Sequence, residues 1–210
     1  MEIQIGSLPV RDRYKLLTGT VVPRPIAWIS TRSSGGLINL APFSYFNAVA
    51  SNPPTLSVSF SWNPEREDGR KDTLRNLEHN RECVVNIVSE PDAEFMNLTA
   101  GNFPASISEV EHLGIALADP MAVATPRVAT ARVSFECVLD RSVQVGAGPG
   151  SSTLVLLTVE HVFVADELID SGLHIDIQRL APVARLAGNS YSLLAEPFQL
   201  ERRTFSALKE

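Results

Sequence analysis

The sequence has few cysteines and no excess of basic residues, and each shortage excludes a class of protein. Only two cysteines occur among 210 residues, too few for the disulfide framework of a small secreted domain. Both Cys83 and Cys137 lie in apolar, strand-like runs, which favours free buried thiols. The 18 lysines and arginines are outnumbered by 24 acidic residues, which gives a net charge of −6. We therefore expect no nucleic-acid partner, because phosphate backbones are bound by basic surfaces.

Long apolar runs are also missing from the sequence. No segment approaches the ~20 consecutive apolar residues that cross a bilayer. Residues 1–5 lack the basic start and the long apolar core of a secretory signal. We therefore expect a cytoplasmic protein that has no membrane partner.

Histidine is scarce, and the arrangement of the histidines excludes two kinds of chemistry. The four histidines are scattered and match no metal-binding spacing, so no metal site is predicted. No Ser-His-Asp or Cys-His motif supports hydrolysis. His174, with Asp176 two residues later, is the one histidine that is a candidate for catalysis, and a structural role is the favoured alternative.

The hydrophobic pattern indicates a mainly β fold, an antiparallel β-barrel with peripheral helices. Strands are predicted at residues 26–31, 37–47, 55–62, 83–88, 131–145 and 153–164. Short helices are predicted at residues 73–80, 91–100 and 108–113. Pro42 places its strand at a sheet edge or a bulge, and residues 1–24 are expected to be a polar lead-in. The pattern is typical of a barrel, because strands outnumber helices and no βαβ alternation occurs.

One glycine-rich segment, residues 146–150, superficially resembles a dinucleotide-binding fingerprint. That fingerprint needs a helix after the glycines, because the helix N-terminus faces the pyrophosphate. Residues 153–159 are instead rich in leucine, valine and threonine, which predicts a strand. A hairpin turn is therefore the preferred interpretation.

Lys71, Asp72 and Thr73 form a more informative segment at the start of a predicted helix. A lysine before a helix, with a hydroxyl in the first turn, can bind phosphate together with the free backbone N–H groups. Arg66 and Arg70 add positive charge nearby. Asp72 counts against this interpretation, because its carboxylate would compete for the same N–H groups unless it points away. From these residues alone, a solvated loop in which Asp72 caps the helix is the favoured alternative.

Five segments are informative together: residues 22–31, the small-residue segment at 39–47, the Pro-Pro strand at 53–60, Lys71 to Thr73, and residues 182–191. In this order they resemble segments of the flavin reductase-like family, whose members bind FMN in a split β-barrel. The last segment is similar to the family's Arg-Leu-Gly-Gly…Tyr pattern but has Ala187 where a glycine is usual. The resemblance covers about residues 20–195, and we expect the 210 residues to form one domain around this core.

The resemblance implies a set of FMN-binding residues. The residues expected to line the isoalloxazine and the ribityl chain are Asn39, Ala41, Pro42, Phe43 and Ser44, with Ser57 and Ser59 beside them. The residues expected to hold the phosphate are Lys71 and Thr73, assisted by Arg66 or Arg70. Asn189 and Tyr191 are expected to close the site, from the same subunit or from a second one.

The resemblance also implies an activity and partners. A homodimer would bind FMN and accept a hydride from NADH or NADPH, and then release the reduced flavin or pass its electrons to a flavin-dependent monooxygenase or another redox partner. One alternative is an FMN-binding electron carrier that does not itself oxidise nicotinamide. A further alternative is a flavin-free structural relative, because fold does not fix function.

Overall fold

The computed structural model describes residues 1–205, and strands are its main element. In chain order the strands are Arg24–Pro25 (β1), Ala27–Arg32 (β2), Ile38–Phe43 (β3), Phe46–Ser51 (β4), Pro54–Ser61 (β5), Glu82–Ile87 (β6), Leu117–Ala118 (β7), Arg127–Val128 (β8), Val133–Val145 (β9), Ser152–Val164 (β10), Ala184–Arg185 (β11) and Tyr191–Ser192 (β12). Short helices connect them at Val10–Thr20 (α1), Asp72–Asn80 (α2), Ala93–Leu98 (α3), Glu109–Leu113 (α4) and Ile177–Leu180 (α5). Within residues 1–205, no helix is long and apolar enough to span a membrane.

Seven strands form one antiparallel sheet in the order β3-β2-β6-β9-β10-β5-β4. Although β3 and β4 are consecutive in the chain, they occupy the two opposite edges of the sheet. Only residues 44–45 connect them, so the sheet must curl until its edges approach each other. The amide of Ser59 on β5 donates to the carbonyl of Tyr45 at 2.9 Å, next to this point. In the part of the chain that the structure describes, no hydrogen-bonded ladder joins β3 to β4. The sheet is thus not fully closed, and the predicted antiparallel barrel is confirmed in its split form.

Strand β2 is buried on both faces because it separates two hydrophobic cores. Ala27 and Ile29 face a core that also contains Leu74 and Leu77 of α2. Ile26 and Trp28 face the other core, against α3, α4 and β8. The indole Nε1 of Trp28 donates to Thr99 Oγ1 at 2.9 Å, so its polar atom is also satisfied. This double burial explains the continuous apolar run over residues 26–29 in an antiparallel sheet.

Several predicted elements are confirmed. Pro42 lies on an edge strand, where a missing N–H is tolerated. Residues 146–151 form the turn of the long β9–β10 hairpin, so the glycine-rich segment is a hairpin turn. Cys83 and Cys137 are free and buried, as predicted.

Two predicted elements are wrong in detail. The strand expected over residues 37–47 is divided into β3 and β4, because the chain crosses from one sheet edge to the other at residues 44–45. The helix expected over residues 91–100 begins as a 3₁₀ turn at Glu90–Asp92 and continues as α3.

The expectation of a polar lead-in over residues 1–24 is also wrong, because α1 lies within it. Thr18 is the one buried residue of this helix. Val10, Tyr14 and Leu17 recur at helical spacing in the sequence, but their side chains are about half exposed in the structure. The first residue of α1, Val10, packs on Gly150 in the hairpin turn, where an added Cβ would lie 2.4 Å from Val10 Cγ1. The φ angle of Gly150 is +87°, which also favours glycine.

Candidate functional site

A cleft of about 280 Å³ opens where β3, β5 and the beginning of α2 meet. Loop residues that follow α3 form its opposite side. The structure brings together nine of the residues predicted from the sequence in the lining of this cleft: Asn39, Ala41, Pro42, Phe43, Ser44, Ser59, Arg66, Lys71 and Thr73.

The edge of β3 forms one wall of the cleft. Helix α4 covers the first half of this edge, where Ser108 Oγ donates to the carbonyl of Ile38 at 2.5 Å. The second half, from Pro42 to the bend at Ser44, is left to the cleft. The ring of Phe43 is held by an edge-to-face contact with Phe60, at 4.6 Å between centroids. The wall thus combines small residues, an aromatic ring and the backbone of an edge strand.

The N-terminus of α2 forms one end of the cleft. The helix begins at Asp72 and Lys71 is its N-cap residue, so the prediction of Asp72 as N-cap is wrong by one position. The carboxylate of Asp72 lies 2.6 Å from Arg66 Nη2 and 3.5 Å from Arg75 Nη1, and no side chain caps the helix. Arg66 therefore holds the carboxylate of Asp72 away from the N–H groups of the first turn. The carboxylate thus does not compete with a ligand for these donors.

Lys71 and Thr73 carry donors at this end of the cleft. Within residues 1–205, no carboxylate forms an ion pair with Lys71. Thr73 is buried, and its Oγ1 accepts a hydrogen bond from Asn39 Nδ2 at 2.9 Å. Because Thr73 Oγ1 is the acceptor in that bond, its own hydrogen can donate to a ligand. Two side-chain donors and the uncapped N-terminus of α2 thus belong to the lining of the same cleft.

The loop between β5 and α2 positions Arg66 at the cleft. The amide of Asn63 donates to the carbonyl of Gly69 at 2.7 Å and closes the loop. Gly69 has φ +68°, and an added Cβ would lie 2.2 Å from the ring of Trp62, so only glycine fits there. Arg66 Nη2 donates to Asp72 and to the carbonyl of Phe103 at 3.3 Å. The hydrogen bond with Asp72 raises the pKa of Arg66.

The lining residues that were not predicted include Glu109, Tyr14 and Tyr45. Glu109 is buried, and its Oε2 accepts the amide hydrogen of Leu40 at 3.0 Å. Burial raises the pKa of Glu109, although the bond from Leu40 opposes this. Burial also raises the pKa of Tyr45, and neighbouring Tyr14 adds to that effect. A Ser-Glu helix start is visible at residues 108–109, but nothing local in the sequence indicates a partner 69 positions away.

Five predicted residues lie outside the lining of this cleft: Ser57, Arg70, His174, Asn189 and Tyr191. Ser57 lies on β5 next to β4, and its hydroxyl donates to the carbonyl of Asn47 at 3.4 Å. Arg70 points to solvent and pairs with Glu78 at 2.6 Å. Asn189 is exposed in the turn before β12.

His174 is strongly exposed, with 83% of its side chain accessible. Its Nδ1 lies 3.2 Å from Asp170 Oδ2, so its acidic neighbour is Asp170 rather than Asp176. Asp176 instead accepts the amide hydrogen of Arg179 and caps α5. His174 therefore lies in a turn on the surface of the protein.

Tyr191 lines a second cavity, of about 210 Å³, which lies beside the cleft. Five residues line both spaces: Tyr14, Pro42, Phe43, Ser44 and Ala100. The hydroxyl of Tyr191 donates to Asn97 Oδ1 at 2.9 Å. The residue predicted to close the site therefore lies next to the cleft in the same chain.

Comparison with known proteins gives the family. The model of the flavin reductase like domain matches residues 18–180. The chain is similar to nitrilotriacetate monooxygenase component B from Bacillus cereus, with 36% identity, a TM-score of 0.90, and coverage of 95% of this chain and 98% of that chain. It is similar to the 2-nitrobenzoate 2-nitroreductase NbaA of Pseudomonas fluorescens, with 31% identity, a TM-score of 0.87 and coverage of 98% of each chain.

At 20% identity, the chain also shares the fold of a protein from Shewanella frigidimarina that is described as a flavin reductase with a split barrel domain. The TM-score is 0.81, and the match covers 95% of this chain and 96% of that chain. Together with the cleft at the open edge of the barrel, these matches show that the chain belongs to the flavin reductase-like family.

Proposed function

We propose that the protein binds FMN in the cleft and is a flavin reductase that uses NADH or NADPH as hydride donor. The observation that carries this proposal is the uncapped N-terminus of α2, with Lys71 beside it and Asp72 drawn away to Arg66. An uncapped helix N-terminus with a lysine and a hydroxyl is suited to a phosphate monoester. The flavin-related function of the family fits an occupant of this kind.

The donor set fits a single phosphate at one end of the cleft. Lys71 supplies charge, Thr73 supplies a hydroxyl hydrogen, and the first turn of α2 supplies backbone N–H groups. Arg66 remains paired with Asp72 at the rim, and this pair adds no net charge there. This one phosphate end supports FMN rather than FAD, which carries a second phosphate and an adenosine.

The β3 wall fits a planar ring. Ala41 and Pro42 leave space along the strand edge, and Phe43 offers an apolar contact fixed by Phe60. Bound FMN would supply the hydride-accepting ring. The residues of this chain would hold that ring against the strand edge, exclude water from one side, and anchor it through its phosphate.

Partner and assembly belong to the same proposal. One structural relative is named component B of a monooxygenase. For this chain, the proposed recipient of the reduced flavin is likewise a flavin-dependent monooxygenase.

We also propose a homodimer, because edge strand β4 is exposed along nearly its whole length and a second copy would cover it. Light scattering should give twice the chain mass of 22.9 kDa. A mass near 22.9 kDa at micromolar concentration would contradict the dimer.

The proposal is tested by flavin binding followed by a nicotinamide oxidation assay. Calorimetry should show FMN binding more tightly than FAD and riboflavin, and FAD binding tenfold tighter than FMN would overturn the choice of flavin. NADH or NADPH should then be oxidised only when FMN is present. FMN binding without oxidation of either nucleotide would favour the electron-carrier alternative. Lys15→Ala is the matched lysine control, because Lys15 is exposed on α1 and pairs with Asp12.

A further inference from the structure

The second cavity is a distinct space that opens toward the cleft. Its far side is formed by the C-terminal end of α1 and by the small sheet β1-β11-β12. Its near side consists of residues 42–44, which also line the cleft. A ligand in this cavity would therefore have one side against the small sheet and the other against the ring-binding wall.

Two arginines face each other across the small sheet. Arg24 on β1 and Arg185 on β11 are directly paired in the antiparallel register, so their side chains project from the same face at a separation of about 5 Å between Cβ atoms. Like charges in such a pair repel each other. Within residues 1–205, no aspartate or glutamate lines this cavity. In a chain of net charge −6, the cavity is thus a local concentration of positive charge.

Arg24 is buried, with 7% of its surface accessible. Its Nη1 donates to the carbonyls of Thr18 at 2.8 Å and Val21 at 2.6 Å, and its Nη2 donates to Leu186 at 3.0 Å. These carbonyls orient the guanidinium and receive charge-assisted bonds at the end of α1. They do not supply a counter-anion, and Nε of Arg24 is buried without a partner.

Arg185 is held in place by aromatic and backbone contacts. Its guanidinium carbon lies 4.5 Å from the centroid of the Tyr191 ring. It donates to the hydroxyl of Tyr191 and to the carbonyl of Gly188. The hydroxyl of Tyr191 in turn donates to Asn97 on α3. Both arginines are therefore preorganised beside an apolar surface formed by Phe43, Pro42 and the tyrosine rings.

We propose that this cavity binds a small planar carboxylate, a benzoate-like molecule, with its carboxylate at Arg24 and Arg185 and its ring toward residues 42–44. Guanidinium groups match carboxylates in shape and charge, and aromatic walls suit a flat ring. The cavity, at about 210 Å³, is smaller than the cleft, at about 280 Å³, which favours a single ring over a dinucleotide. The inference rests on the proposed function in one respect: the ring would lie beside the bound flavin, as a second substrate does.

The test uses calorimetry with benzoate as the probe, on the flavin-free protein and on the FMN-loaded protein. Benzamide is the neutral control ligand, and ADP-ribose tests a dinucleotide phosphate as the source of the anion. Arg185→Gln should weaken benzoate binding about 10- to 100-fold, as expected for loss of a charge-assisted hydrogen bond. Arg141→Gln is the matched control, because Arg141 is exposed on β9 and pairs with Asp140. Arg24→Gln should have an effect similar to that of Arg185→Gln, with circular dichroism to confirm that α1 is retained.

The result expected is benzoate binding that depends on Arg185, weakens with salt and exceeds benzamide binding at least about tenfold. In the FMN-loaded protein, benzoate should also shift the flavin absorbance. Equal benzoate affinity in wild type and Arg185→Gln, or equal affinity for benzamide, would overturn the proposal. Arg185-dependent binding of ADP-ribose without binding of benzoate would also overturn it. FMN affinity is measured separately, so failure of the proposed function would appear as absent FMN binding, while benzoate binding to the flavin-free protein still decides the cavity.

Discussion

Glu109 in the cleft and Glu136 on β9 are both buried glutamates, and their surroundings differ in the number of donors. Glu136 has 2% of its surface accessible, and its carboxylate accepts the amide hydrogens of Met121, Ala122 and Val123 at 2.5–3.1 Å. Glu109 has 6% of its surface accessible and accepts the amide hydrogen of Leu40. The two carboxylates thus have similar burial and unequal compensation.

The balance between burial and donors decides the pKa of each group. At Glu136, burial opposes ionisation, but the three backbone donors outweigh it and lower the pKa. At Glu109, burial exceeds the effect of Leu40 and raises the pKa. Glu136, which has three backbone donors, has a structural role, because its carboxylate anchors the loop before β8. Glu109, which has fewer hydrogen-bond donors, lies in the cleft beside the uncapped N-terminus of α2. A ligand bound there can supply further contacts to its carboxylate.

The largest expected effect on stability comes from removing the carboxylate of Glu136. Glu136→Leu would leave three N–H groups without their acceptor, at about 1–3 kcal/mol for each one that stays buried. We expect the free energy of unfolding to fall by about 3 kcal/mol or more, as measured by urea denaturation. FMN affinity of the folded fraction should stay unchanged. A loss of unfolding free energy below about 1 kcal/mol would show that the loop finds other acceptors. The contrast drawn between Glu136 and Glu109 would then be wrong.

A smaller effect is expected from Thr73 at the cleft. Thr73→Val keeps the shape of the side chain and removes the hydroxyl, so FMN affinity should fall by about 1 kcal/mol, roughly fivefold. Riboflavin, which has no phosphate, should bind both forms with similar affinity. Equal losses for FMN and riboflavin would mean that the hydroxyl acts through Asn39 and the β3 wall instead of through the phosphate.

The smallest effect is expected from Glu109→Gln, with a change of less than about 1 kcal/mol near neutral pH, because the amide oxygen can still accept from Leu40. Its sign should depend on pH. The pKa of Glu109 is raised above its ordinary value of 4.5 in the folded state, so its contribution to stability is complete below that value and is lost as pH rises through the folded pKa. Glu109→Gln should therefore gain stability relative to wild type as pH rises above 4.5 and through the folded pKa of Glu109.

Urea denaturation at several pH values measures this trend, with Glu136→Gln as the matched control. The pKa of Glu136 is lowered below 4.5 in the folded state, so its contribution is present above that pH and is lost only in more acidic solution. His161 Nδ1 lies 3.3 Å from Glu136 Oε1, so the comparison is made in a His161→Gln background. There, the difference between Glu136→Gln and its parent should stay constant between pH 5 and pH 8. An identical trend for both variants would contradict the distinction between the two carboxylates.

Sequence patterns predicted the parts of the molecule that depend on neighbouring residues. The alternation of β9 and β10, the edge position of Pro42 and the helix start near Lys71 are local signals, and the structure contains all three. Helix α1 was missed because its apolar signal is short: Val10, Tyr14 and Leu17 recur at helical spacing among charged residues, and they are about half exposed in the structure.

The missed parts of the site depend on long-range partners. Glu109 meets Leu40 across 69 positions, and Arg24 meets Leu186 across 162. The pairing of Arg24 with Arg185 follows only from the register of β1 and β11. Local patterns carry no information on which strands become neighbours, so these contacts require the folded chain.

The central claim is that the N-terminus of α2 holds the flavin phosphate, and the affinity of Lys71→Ala for FMN and riboflavin tests it most directly. Removing the charge-assisted hydrogen bond should cost about 1.5–3 kcal/mol, so FMN affinity should fall about 10- to 150-fold. Riboflavin affinity should stay nearly constant, and Lys15→Ala should leave both affinities unchanged. An equal loss for FMN and riboflavin in Lys71→Ala would contradict the phosphate assignment.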